Sequence, residues 1–155
     1  MSDHMRTATK CTHVNRWTHI GTVSHGTLRN EDLIDALFPV LEELDPKSAE
    51  ELHQRYDDAI GDDTEREDGA DDCVAELMDC LSANCPAGIY FGANEGDGSD
   101  FGFWFCDSED VRHVPNLPNK PEKDESEIFL VSDHGNVTLY AWCSTHGWQE
   151  VYGIV

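Results

Sequence analysis

The feature of the sequence that most restricts its fold is a change in hydrophobic periodicity around Cys85. Before this residue, apolar side chains recur every three or four positions, which is the spacing of one face of an α-helix. After it, Phe101, Phe103 and Phe105 are separated by single residues, the two-residue period of a β-strand. We therefore predict an α+β fold, with an N-terminal strand and about three helices packed on one face of a mainly antiparallel sheet.

Three helices are predicted before Cys85. Asn30 has the side chain of a helix cap, and the helix after it contains Pro39, which must kink or break it. Asp45 and Pro46 are the residue types expected as the cap and first residue of a second helix. A third helix is indicated by apolar residues at helical spacing, namely Val74, Leu77, Met78 and Leu81.

The strands are expected at both ends of the chain. Residues 13–24 are rich in β-branched side chains and predict the N-terminal strand. Residues 89–91 and 100–106 flank the sequence GANEGDGS, which we interpret as a tight hairpin connection. The end of the chain predicts an antiparallel meander with strands at 128–132, 137–143 and 148–155.

A chain of 155 residues fits a single domain, residues 1–155. Within it we expect a flexible polar arm at residues 1–12, an acidic linker at 62–69 and a proline-containing loop at 107–127. No apolar run approaches the ~20 residues of a membrane span, and the polar start is unlike a signal peptide, so we expect a cytoplasmic protein. Its six cysteines are then expected to be reduced and partly buried.

Acidic residues are concentrated in one part of the chain. The net charge is −22, yet residues 1–30 hold four basic residues and one acidic residue, a balance of +3. Residues 57–79 hold eleven acidic residues and one basic residue, Arg66. A helix rises ~1.5 Å per residue, so this segment would carry a negative charge about every 3 Å if wholly helical. A single DNA strand carries one every ~3.4 Å.

This distribution favours a basic nucleic-acid-binding protein or complex as the partner, and neither nucleic acid itself nor a membrane. A solvated or halophilic acidic surface is the alternative, but acids that serve solubility alone need not be clustered. The candidate partner-binding residues are Asp57, Asp58, Asp62, Asp63, Glu65, Glu67, Asp68, Asp71, Asp72, Glu76, Asp79, Asp97 and Asp100. A second patch would combine the last two with Asp107, Glu109 and Asp110.

Two parts of the sequence contain residue types that bind metal ions. The loop from Glu95 to Asp100 alternates oxygen donors as a calcium loop does, but Cys106 stands where a closing Glu belongs. Cys11-x-His13 and Cys143-x-x-His146 would form a zinc site only if the first and last strands were neighbours. The sequence does not establish this, so we predict no metal and no cofactor.

Nucleophilic catalysis has one candidate, the run Ser132-Asp133-His134. Adjacent residues on a strand or turn point in different directions and cannot form the relay that a triad requires. The sequence contains no Gly-x-Ser-x-Gly, and its histidines follow no catalytic spacing. We therefore predict a turn at this position and no catalytic residues.

Three blocks resemble a family of small uncharacterised bacteriophage proteins: SHGTLRNEDLI at 24–34, YFGANEGDGSDFGFW at 90–104 and VSDHGNVTLY at 131–140. Members of that family often have His where this chain has Asn94, so a catalytic role for that His would not carry over. The resemblance implies a phage origin and a host-cell cytoplasmic setting. It implies no established activity or site.

Two hypotheses follow. In the first, the protein is an acidic DNA-mimic inhibitor that occupies the basic nucleic-acid-binding groove of a host defence complex, of anti-CRISPR or anti-restriction type. In the second, it is a metal-dependent or hydrolytic phage accessory protein that uses its histidines. Metal analysis separates them, because mimicry requires no ion.

Overall fold

The computed structural model describes residues 14–56 and 66–155, with the backbone alone for residues 66–68. The expected mixed α+β fold is confirmed. Its helices in chain order are α1 (Asn30–Leu44), α2 (Pro46–Arg55) and α3 (Arg66–Ala83). Its strands are β1 (Gly21–His25), β2 (Ile89–Asn94), β3 (Asp97–Phe105), β4 (Arg112–Val114), β5 (Glu127–Val131), β6 (Val137–Cys143) and β7 (Gly147–Ile154). The chain divides into two compact units, residues 19–106 and residues 1–18 with 107–155.

The unit of residues 19–106 contains the three helices and an antiparallel sheet with the strand order β1-β3-β2. Helices α1 and α3 contact this sheet at β1 and β2, respectively. Phe91 and Phe103 pack edge to face in its core, with ring centroids 4.9 Å apart. The predicted N-terminal strand is shorter than expected, because only Gly21–His25 pairs with β3.

Helix α1 buries the stripe predicted for it, formed by Leu33, Ile34, Leu37, Phe38 and Leu41. Pro39 lies inside this helix without ending it. The residue is exposed, as is Asp35 one turn earlier, so water can satisfy the carbonyl that loses its amide partner. The prediction that Asn30 caps the helix is wrong. Arg29 holds the cap position, and the Asn30 amide donates to Asp71 instead.

The start of helix α2 is as predicted. The Asp45 carboxylate accepts hydrogen bonds from the Ser48 backbone N–H at 3.2 Å and from its hydroxyl at 2.7 Å. These two bonds lower the pKa of Asp45. Pro46 occupies the first turn, where its missing N–H leaves no unsatisfied partner.

The predicted acidic linker at 62–69 overlaps helix α3, which already begins at Arg66. Glu67 and Asp68 fall in its first turn, where acidic residues are favourable because helix N-terminal N–H groups carry partial positive charge. Residues 62–65 lie outside the described residues, as does the predicted arm at 1–12.

The connection between β2 and β3 is a tight hairpin, as predicted. Only Glu95 and Gly96 lie between the paired residues Asn94 and Asp97, so the connection is shorter than the sequence suggested. The Asn94 side-chain oxygen accepts a hydrogen bond of 2.8 Å from the Gly96 N–H and fixes the turn.

The unit of residues 1–18 and 107–155 contains a second sheet with the order β4-β5-β6-β7. The predicted meander is confirmed in β5, β6 and β7, which pair antiparallel. The predicted loop at 107–127 contains strand β4, which pairs parallel to β5 and buries Val114, and its last residue, Glu127, is the first of β5. Before β1 the chain also reaches β7, since the Trp17 N–H donates to the Val151 carbonyl at 2.7 Å.

Candidate functional site

The two units carry very different charges. Residues 19–106 contain 22 acidic and 4 basic residues, and the other unit contains 10 acidic and 6 basic residues. Their formal charges are therefore −18 and −4, which account for the net −22. The excess of acid thus belongs to the unit that holds all three helices.

Helix α3 separates its apolar and acidic residues onto opposite sides. The side chains that it buries follow helical spacing and are Ala70, Cys73, Val74, Leu77 and Leu81. Asp71, Asp72 and Asp79 are exposed, and Glu76 is half-buried. At about 100° per residue, these four acids fall within less than half of the helix circumference, opposite the buried stripe. The eight-residue rise from Asp71 to Asp79 is about 12 Å, so the four acids are on average about 4 Å apart along the helix axis.

Glu76 is held by a basic side chain from helix α2. The guanidinium of Arg55 donates from one nitrogen to both carboxylate oxygens, at 2.8 and 2.7 Å. The nearby carboxylate raises the pKa of Arg55. This pair neutralises one charge of the acidic face and links α2 to α3. The sequence analysis did not identify Arg55, because no local pattern relates it to a residue 21 positions later.

Asp71 also has a structural contact. Its carboxylate accepts a hydrogen bond from the side-chain amide of Asn30, the first residue of α1. Because the Asn30 amide is uncharged, this hydrogen bond does not neutralise the Asp71 carboxylate. Asp71 therefore joins the beginnings of α1 and α3 and remains an exposed anion.

A groove of about 280 Å³ lies beside the Arg55–Glu76 pair. Its lining combines carboxylates with apolar atoms and consists of Ser48, Glu51, Leu52, Arg55, Glu76, Asp79 and Cys80. Glu51 from α2 and Asp79 from α3 are exposed, whereas Leu52 is buried. The groove therefore offers two open carboxylates beside an apolar surface.

The candidate Asp97 lies on strand β3 and has local partners. It accepts hydrogen bonds from the backbone N–H and hydroxyl of Ser99, at 3.0 and 2.8 Å. Its other carboxylate oxygen lies 2.8 Å from His25 Nε2. These bonds, led by those from Ser99, lower the pKa of Asp97 to about 2. Asp97 therefore links the β2–β3 hairpin to strand β1 through His25. Of these contacts, only the one with Ser99 could have been inferred from the sequence.

Asp100 occupies the position on β3 that pairs with His25 of β1. One of its carboxylate oxygens, Oδ1, is buried, and it has no hydrogen-bond partner among the described residues. Such an oxygen is poorly placed for contact with a partner. Asp97 and Asp100 thus belong to the strand junction rather than to the helical face.

Several predicted residues cannot be placed. Asp57, Asp58, Asp62, Asp63 and Glu65 lie outside the described residues. Glu67 and Asp68 belong to the first turn of α3, where only the backbone is described. The described acidic face therefore consists of Asp71, Asp72, Glu76 and Asp79, together with Glu51 across the groove.

The run Ser132-Asp133-His134 forms a turn, as predicted. The Ser132 N–H donates to the Asn136 carbonyl at 2.9 Å, and the Asn136 N–H donates to the Ser132 hydroxyl at 3.1 Å. The serine hydroxyl therefore serves the turn between β5 and β6. Within residues 14–56 and 66–155, no three His, Cys, Asp or Glu side chains are grouped so as to hold a metal ion.

The pair Cys143 and His146, which the sequence analysis considered for zinc, does meet. Cys143 Sγ lies 3.5 Å from His146 Nδ1 at the turn between β6 and β7. Cys11 and His13, the other two residues of that hypothesis, lie outside the described residues.

Comparison of the chain with protein-family models, with curated proteins and with solved structures finds no match. The resemblance to small bacteriophage proteins thus stays a prediction. None of the helices in the described part of the chain combines the length and apolar character that a membrane span requires.

Proposed function

We propose that this protein is an acidic DNA-mimic inhibitor that occupies the basic nucleic-acid-binding groove of a host defence complex, of anti-CRISPR or anti-restriction type. The observation that carries the proposal is the charge of −18 on the unit of residues 19–106, against −4 on the other unit. An acidic surface needed only for solubility would not have to favour one unit in this way.

The spacing of the acids on α3 supports the same proposal. With Glu76 neutralised by Arg55, three anions remain between Asp71 and Asp79, and over a rise of about 12 Å their average separation is about 6 Å along the helix. This separation is within a factor of about two of the ~3.4 Å between charges along a DNA strand. Carboxylates at this spacing can replace phosphates against a row of Lys and Arg side chains, and their field accelerates the encounter.

The groove suits a basic side chain of the partner. Lys and Arg have an aliphatic stem and a charged head, and they bury the stem against apolar surface. Leu52 and Cys80 would contact the stem, and the carboxylates of Glu51 and Asp79 would pair with the head. We propose a phage origin and the cytoplasm of the host cell as the setting, on the basis of the sequence resemblance.

The test is a DNA-cleavage assay on a panel of purified CRISPR effector and restriction complexes, with and without the protein. The test variant reverses three charges of the helical unit, Glu51→Lys, Asp72→Lys and Asp79→Lys. The control variant reverses Glu122, Asp124 and Asp133, which are exposed in the other unit and belong to neither acidic patch. Both variants change the net charge by the same amount, so they differ only in where on the protein the charges are reversed.

We expect wild-type protein and the control variant to block cleavage, and the helical variant to lose inhibition. Inhibition should weaken steeply with salt, since the Debye length falls from ~10 Å at 0.1 M to ~3 Å at 1 M. DNA loaded before the protein should protect the complex. Equal inhibition by both variants, or an inhibited complex that still loads DNA, would contradict mimicry.

A further inference from the structure

The sheet of β1, β3 and β2 carries a pair of aromatic side chains on its outer face. Phe91 and Phe103 are paired in register and are buried, so they mark the inner face. Successive side chains of a strand point to opposite faces. Tyr90 and Trp104, which are also paired in register, therefore project from the other face, and both are half-buried. Polar side chains usually occupy such a face, so this pair departs from the usual pattern.

The position next to this pair on the outer face carries no side chain on either strand. Gly92 of β2 and Gly102 of β3 are paired in register there. A Cβ at Gly92 would lie 3.6 Å from both Cδ2 and Cε2 of Tyr90, so the tyrosine ring extends over this glycine. The glycine therefore allows the ring to lie against the strand.

Both aromatic side chains use their polar atoms within the sheet. The Trp104 indole N–H donates to the Gly92 carbonyl at 3.0 Å, and the Tyr90 hydroxyl donates to the Ala93 carbonyl at 3.3 Å. These hydrogen bonds fix the orientation of the rings, and a side chain that is already ordered loses little entropy when a partner binds. The pair therefore offers a partner mainly the apolar surface of its rings.

The surroundings of this aromatic pair are acidic. The unit that contains it carries a formal charge of −18. Glu95 directly follows β2 and is exposed. Burial and, after it, the carboxylate of Glu95 raise the pKa of Tyr90, so this negative charge lies within electrostatic reach of the ring. A ligand that benefits from both the rings and the field must be positively charged.

An arginine side chain meets both requirements. A cation over the face of Trp or Tyr is attracted by the negative charge of the π-system. The guanidinium group is planar, stacks on aromatic rings and is more weakly hydrated than the ammonium group of lysine. A second copy of this chain is disfavoured as the ligand, because it would bring another net charge of −22 to the same surface.

We infer that Tyr90 and Trp104 form a second contact surface, which binds an arginine side chain of the basic partner by stacking. The identity of that partner rests on the proposed function, whereas the stacking of arginine on the two rings does not. The groove described above is lined by residues of α2 and α3, so the aromatic pair is a separate contact. It would select arginine over lysine by the shape of the charged group.

The test is a titration of isotope-labelled full-length protein, followed by NMR, with two peptides of equal charge. One consists of four Gly-Arg repeats and the other of four Gly-Lys repeats. We expect the arginine peptide to bind ~2–5-fold more tightly and to shift the indole N–H signal of Trp104 more than those of the other tryptophans. Tyr90→Leu and Trp104→Leu should each reduce this preference. Tyr90→Phe, which keeps the ring, and Trp142→Leu, at a half-buried tryptophan of the other sheet, should retain it.

The signals of the wild type cover the case in which a substitution at the pair prevents folding. The variant Glu51→Lys, Asp72→Lys and Asp79→Lys should bind both peptides more weakly and keep the preference for arginine. Failure of the cleavage assay with this preference intact would therefore count against mimicry alone. Three results would overturn the inference: equal affinity for the two peptides, a preference that survives Trp104→Leu, or a Trp104 signal that moves with protein concentration alone. The last would show a second copy on this surface.

Discussion

Replacing Gly102 by alanine tests the close approach of β3 to the backbone of β1 at Gly21 and Thr22. An added Cβ would lie 2.1 Å from the carbonyl oxygen of Gly21 and 2.9 Å from the Cα of Thr22. Favourable contacts between heavy atoms begin near about 3.5 Å, so strand β1 would have to move by more than about 1 Å or lose its pairing with β3. Neither colliding group is the end of a flexible side chain, so local relaxation is limited.

The expected loss in the free energy of unfolding is about 3 kcal/mol, the upper end of the range for overpacked positions, because the clash is with main-chain atoms. For a chain of this size the melting temperature should fall by about 6–12 °C. Thermal unfolding followed by circular dichroism measures this shift.

Gly98→Ala is the matched control, since it makes the same chemical change on the same strand. No atom lies within 4 Å of the Cβ position at Gly98. We expect this variant to unfold within about 1 kcal/mol of the wild type. If Gly102→Ala and Gly98→Ala melted within about 2 °C of each other, the close approach of β1 to β3 would be refuted.

Three further predictions concern charged and thiol groups. Arg55→Gln should strengthen binding to the inhibited complex at low salt by leaving Glu76 unpaired, and Asp79→Asn should weaken it; association rates at several salt concentrations measure both. Because hydrogen bonds lower the pKa of Asp97 from 3.8 to about 2, its contribution to stability should be present above pH 3.8 and lost as the pH falls through 2. Urea unfolding of wild type and Asp97→Asn should therefore differ at pH 5 and converge near pH 2. Burial raises the pKa of Cys85 to about 11, so iodoacetamide at pH 8 should alkylate it at least about tenfold more slowly in native than in unfolded protein.

The parts of the fold that depend on neighbouring residues were predictable. Helix α2 follows from Asp45 and Pro46, whose capping roles require only the next few residues. The β2–β3 hairpin follows from its turn residues and the alternation after them. Helix α1 could be placed from its apolar spacing, although the effect of Pro39 could not, because it depends on which side of the helix faces water.

Contacts between distant residues could not be predicted from these patterns. The Arg55–Glu76 pair joins residues 21 positions apart, and Asn30 meets Asp71 across 41 positions. His25 reaches Asp97 only because β1 pairs with β3 rather than with its neighbour in sequence. Periodicity specifies which face of an element is buried, but not which element covers it. The sequence therefore identified the acidic face only by its concentration of acidic residues. The groove beside it and the pairing of Glu76 with Arg55 required the structure.

The position of the uncompensated acids is itself an argument about their use. Like charges at helical spacing, such as Asp72 and Glu76, destabilise a helix by about 0.2–0.5 kcal/mol per pair. The structure offsets part of this repulsion by pairing Glu76 with Arg55, yet no basic side chain in the described part of the chain contacts Asp72 or Asp79. Stability alone would favour a lysine at either exposed position. Retaining the open carboxylate of Asp79, together with that of Glu51, beside a groove with an apolar wall is more easily explained if a basic side chain of a partner completes the pairing.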